Sequence, residues 1–109
     1  MDISQFQPII ENLLNQSLAP NNIEQVKHIL QMIIKGVDVL GKVLKITDFI
    51  IANYPEFILL AKQLLDLIIA GASIHDIALL LLKFAISHEI SIDIVIRFLQ
   101  MIGGIVGIL

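Results

Sequence analysis

The sequence holds 109 residues, enough for one domain, with 57% hydrophobic residues, 16% charged residues and a formal net charge of −3. Its seven basic side chains are dispersed, which excludes a patch able to neutralise a nucleic-acid backbone, and the lack of cysteine excludes disulfides, thiolate metal sites and cysteine nucleophiles. Soluble domains carry about 25% charge, so a small globule of this composition is expected to bring part of its apolar surface against another copy, a partner or lipid.

The first segment runs over roughly 5–18. Phe6, Ile9, Ile10, Leu13, Leu14 and Leu18 recur at the 3–4 spacing of an amphipathic helix. Ser4 with Gln7 suggests a capping box, and Pro8 would fall in the first turn, where a missing N–H costs little. The stretch "LAPNN" reads as a turn. Nine of the twelve Asn and Gln residues lie within residues 1–31, which marks this part as the more solvated end of a single domain and not as a domain of its own.

The second segment opens with Asn22 as N-cap and Glu24 in the first turn. Eight of its polar residues, Glu24, His28, Gln31, Lys35, Asp38, Lys42, Lys45 and Asp48, are separated by three or four positions throughout. That spacing draws one polar line down one helix face. Most other positions between 23 and 51 are apolar or glycine, so this is a polar stripe on an apolar rod, the inverse of an ordinary surface helix. Unbroken over about 23–53 it would be about 46 Å long, more than the diameter of a compact domain of this size. Gly36 and Gly41 are the candidate breaks, or points where another helix packs close. Leu44 lies off the polar line, so Leu44→Asp is expected to abolish any assembly, whereas Lys42→Glu, on the line, is expected to be mild.

"NYPEF" restarts a helix, with Asn53 as N-cap, Pro55 in the first turn and Glu56 at the third position. This helix is expected to end near Ala70 with Gly71 as its C-terminal cap, and Lys62 with Asp66 forms its i,i+4 pair. Ser73 and Asp76 cap a fourth helix. Ser91 caps a fifth, with Asp93 and Arg97 as its pair, running into "QMIGG". The stretch "EISIDIVIRF" also alternates with period two, a strand signature. No second segment alternates to pair with it, and the helical reading places Asp93, Arg97, Gln100 and Gly104 on one line.

From Phe98 to Leu109 the chain carries no charge. Gly103 and Gly107 have the spacing that lets two helix backbones approach closely. The alternative is a helix ended by Gly103 or Gly104, with Ile105, Val106, Gly107, Ile108 and Leu109 plugging a groove. On either reading these residues, with Gly36, Gly41 and Leu44, are the candidate packing and assembly positions.

Chemistry-bearing constellations are sparse. His75 and Asp76 are adjacent, and adjacent helical side chains diverge by about 100° and chelate poorly. The acids lie on the polar lines, mostly near a Lys or Arg, as on a solvated face. The segment from Ser73 to Leu99 faintly suggests a helix-turn-helix, but Ile92, Asp93 and Ile94 would meet phosphates badly. No cofactor, metal or small-molecule substrate is indicated. A charge interrupts every stretch long enough for a conventional membrane span, and the start "MDISQFQ" lacks the basic region of a signal peptide.

The expectation is an all-α fold of four to five helices over residues 1–109, including the long second helix, forming a bundle packed in a larger assembly. Residues 1–31 are its more polar, amide-rich part, and residues 32–109 are strongly apolar. In overall composition the chain resembles the short, very hydrophobic, all-helical coat proteins of some archaeal and other viruses. The function expected is non-enzymatic self-assembly of homologous or identical subunits into a shell, capsid or filament, in a virion or the cytoplasm. A membrane-embedded or pore-forming, holin-like protein is the first alternative. A soluble helical module binding a partner's amphipathic helix is the second.

Overall fold

The computed structural model describes residues 3–35 and 55–108. Among these residues all regular structure is helical: a short 3₁₀ turn at Ile3–Gln5, then α1 (Gln7–Ser17), α2 (Ile23–Lys35), α3 (Glu56–Ile69), α4 (Ile74–Ser87) and α5 (Ile92–Ile108). The chain is thus all-α, a small helical bundle. The stretch that alternates with period two is helix from Ile92 onward, with no strand. Its β-branched residues are tolerated because Ile92, Val95, Phe98 and Leu99, at helical spacing, turn into the core, and that burial outweighs local strand preference.

The turn residues behave as their chemistry dictates. Ser73 Oγ accepts from the Asp76 backbone N–H at 3.1 Å, and Ser91 Oγ accepts from the Ile94 N–H at 3.3 Å. At the end of α3, Gly71 takes φ +77°. Its N–H donates to the Ile68 carbonyl and the Ala72 N–H reaches back to the Leu67 carbonyl, the paired closing bonds of a Schellman turn. The end of α4 repeats this pattern with a glutamate in the glycine position. Glu89 has φ +57°, its N–H donates to Ile86, and the Ile90 N–H donates to Ala85. Ile90 is buried in the core, which holds that turn shut.

Two starts differ from the sequence expectation. Helix α1 begins at Gln7 with Phe6 as the N-cap residue, and Ser4 lies in the separate 3₁₀ turn ahead of it. Pro8 does lie in the first turn. Helix α3 begins at Glu56 after Pro55, and Asn53 lies outside the described residues. So does everything from Gly36 to Tyr54, and the expectation of one helix across about 23–53 therefore rests there; the described part of it is α2.

Helix α5 packs against each of the other four helices. This placement accounts for its near lack of charge: it is the central element of the bundle. Val95, Phe98 and Ile102 are fully buried, as are Ile10 and Leu14 of α1, Val26, Ile29 and Leu30 of α2, Leu60 and Ala61 of α3, and Leu81 and Leu82 of α4. The Phe57 and Phe98 rings meet edge to face with centroids 5.3 Å apart, joining α3 to α5 in a geometry that aromatic quadrupoles favour. Helix α5 continues unbroken through Gly103 and Gly104 to Ile108, and Ile105 is only 4% exposed. The reading of a glycine-terminated helix followed by a plug is thereby corrected, since packing of Ile102 and Ile105 sustains the helix past two glycines.

Candidate functional site

Helix α2 sets Glu24, His28, Gln31 and Lys35 on its exposed side. Val26, Ile29, Leu30 and Ile33 face inward, with Ile23, Met32 and Ile34 half-buried between. Gln25 is also exposed, and the inward face of the helix is covered by the same chain, chiefly by α3. Lys27 Nζ donates to Glu24 Oε1 at 3.1 Å one turn away. The lower half of the stripe, Asp38, Lys42, Lys45 and Asp48, lies outside the described residues, as do Gly36, Gly41 and Leu44.

Of the charge pairs expected within described helices, one forms. Arg97 Nε donates to Asp93 Oδ2 at 2.8 Å. Lys62 and Asp66, both exposed on α3, make no ion pair with each other. The difference has a physical basis: an acid placed N-terminal to a base at i,i+4 suits the helix geometry and dipole, and the reverse order does not.

The structure also assembles two groupings that adjacency in sequence hides. His75, in the first turn of α4, meets α1: its Nδ1 lies 3.1 Å from Gln7 Nε2 and 3.4 Å from Glu11 Oε1. With Nδ1 bare, the Gln7 amide donates to it; with Nδ1 protonated, the ring donates to Glu11. The partners are more than sixty positions apart, so no local spacing could have revealed them. The cluster is exposed, and no described group of three or more His, Asp or Glu residues is arranged to hold a metal ion. His88 stacks on Phe84 with ring centroids 4.0 Å apart, and its Nδ1 lies 3.0 Å from the Phe84 carbonyl, capping the end of α4.

The second grouping is an apolar cleft of about 340 Å³ at one corner of the bundle, where the α1–α2 turn meets the α3–α4 turn. Leu18, Ile23, Ile68, Gly71, Ala72, Ser73, Ile74 and Ile77 line it. No ionisable side chain enters, so the cleft offers shape and apolar contact but no acid, base or nucleophile beyond the Ser73 hydroxyl, which caps α4. Its signal in the sequence is the turn "AGASI", legible as a turn but silent about what it would stand beside.

Among the described candidate packing glycines, Gly103 is the one in close quarters. A Cβ built there would lie 3.3 Å from Ser17 Oγ of α1, and Ser17 is only 3% exposed. Gly104 and Gly107 have nothing near them. Within one copy the Gly103–Gly107 spacing is thus used at its first glycine, where α5 passes the end of α1. Val106 is half-buried, while the side chain of Ile108 and all of Leu109 lie outside the described residues. No described helix is long and apolar enough to cross a membrane. Comparison with known proteins finds no matching family model, no similar curated protein and no similar solved structure.

Proposed function

We propose that this chain is a non-enzymatic structural subunit, a small helical protein whose copies associate through apolar side chains into a shell, capsid or filament. The observation that supports this reading is the distribution of its exposed large apolar residues: Ile9 on α1, Leu59 and Ile69 on α3, and Leu80 and Ile86 on α4. They stand on three of the five described helices. Contacts in several directions are what an extended array requires. Light scattering of protein purified without detergent tests this. A uniform, detergent-independent assembly is expected, and a monomer at all concentrations refutes it. Obligatory detergent extraction would instead favour the membrane-embedded alternative.

The apolar cleft favours a second reading, a binding module that takes an apolar segment of a partner protein. A monomer whose Ala72→Trp variant, with the cleft filled, loses a partner that the wild type retains would support it.

A further inference from the structure

We infer that α3 pairs with α3 of a second copy, antiparallel, across a two-fold axis level with residue 64; this rests on the self-association proposed above. The exposed residues of α3 before its last turn ends are Leu59, Lys62, Asp66 and Ile69. They fall within one face, opposite the buried Phe57, Leu60, Ala61 and Leu64. Two of them are among the exposed large hydrophobics, Leu59 at 41% and Ile69 at 65%. The two charges between them make no ion pair among the described residues.

The order of the four is self-complementary. Leu59 and Ile69 lie five residues either side of residue 64, and Lys62 and Asp66 lie two either side. Antiparallel pairing about that level therefore sets Leu59 against the partner's Ile69 and Lys62 against the partner's Asp66. Symmetry repeats both contacts. A parallel pairing would set lysine on lysine and aspartate on aspartate, which like-charge repulsion disfavours. The charge pair left unmade within one helix is thereby made twice between two helices, flanked on both ends by aliphatic contact. Such an interface is isologous and closed. A single pair of helix faces is small, so its dissociation constant is expected in the micromolar range or weaker.

Sedimentation equilibrium at about 0.1–1 mM tests the pairing with two variants, Lys62→Asp and Asp66→Lys. In each alone, both cross-axis pairs become like charges, and the two-fold contact should be lost. Mixed together, the variants restore opposite charges at both contacts, so association should return as a heterodimer. Recovery on mixing also shows that neither variant failed through misfolding. Register is read separately by cysteine cross-linking, which is clean because the native chain has no cysteine. Leu59→Cys mixed with Ile69→Cys should cross-link on oxidation. Leu59→Cys alone should not, because its two copies would stand about 15 Å apart along the helices. Association of the wild type that persists in both charge variants overturns the α3 interface and leaves self-assembly standing. A wild type that stays monomeric overturns both.

Discussion

The three glycines of α5 should respond differently to the same added methyl group. Glycine inside a helix is about 1 kcal/mol less favourable than alanine. Gly104 has open space where a Cβ would go, so Gly104→Ala should stabilise by about 1 kcal/mol. Gly107 is equally open but sits in the last turn, where fraying dilutes the effect to about half that. Gly103 has the same propensity to gain, but its Cβ would press on Ser17 Oγ at 3.3 Å, and the buried Ser17 cannot swing into solvent. Crowding of this kind costs about 1–3 kcal/mol, so Gly103→Ala should be neutral to destabilising. For a domain of this size 1 kcal/mol corresponds to about 4 °C in Tm. Thermal unfolding followed by circular dichroism resolves such shifts. A double-mutant cycle sharpens the comparison: in a Ser17→Ala background the obstruction is gone, and Gly103→Ala should recover the stabilisation seen at Gly104. A Gly103→Ala variant as stable as Gly104→Ala in the native background would refute the close approach of α5 to α1. Should Gly104→Ala or Gly107→Ala instead dissolve an assembly without lowering Tm, the open side of α5 would itself be an interface between copies.

The two Schellman turns make a matched pair of predictions. Glu89→Gly should raise stability by about 1 kcal/mol by relieving left-handed strain, whereas Gly71→Ala should lower it by about 1–2 kcal/mol; urea midpoints measure both. Ser73→Ala should cost about 1 kcal/mol in the same assay through loss of the cap on α4. Phe98→Ala should cost about 3–5 kcal/mol, because its fully buried ring also carries the contact with Phe57. Lys27→Ala, by contrast, should move the midpoint by less than about 0.5 kcal/mol, since its pair with the exposed Glu24 is screened by solvent.

Local chemistry made much of this bundle legible in advance. Ser73 and Ser91 announce helix starts because a hydroxyl beside an aliphatic run has few better uses, and Gly71 announces an end because only glycine enters the left-handed region without strain. Glu89 performs the same task without the signature residue. Burial of Ile90 overrides the local cost, and a buried neighbour is a tertiary fact. Ser4 marks a start of another kind: it lies in a 3₁₀ turn, and α1 begins only at Gln7. The cleft and the contact of His75 with Gln7 and Glu11 were not legible at all, because each joins residues brought together by packing of α1 against α4 or meeting of two turns. The centrality of α5 was half legible. The uncharged run from Phe98 signalled deep burial, but could not say whether the cover would come from this chain or another.

That distinction bears on how any assembly forms. Among the described residues Val95, Phe98 and Ile102 of α5 are fully buried, and α5 meets all four of the other described helices. The composition, rich in isoleucine and leucine, is thus spent first on an interior centred on α5 and not on a surface that must be covered before the chain can fold. On the proposed reading copies need not fold together; each would form its bundle first and associate afterwards through modest faces such as that of α3. Association of folded units is concentration-dependent and separable from unfolding. Charge substitutions on α3 should therefore abolish the α3 pairing while leaving Tm of the dilute protein unchanged. In a subunit whose core was completed only by its neighbours, the same substitutions would lower both together.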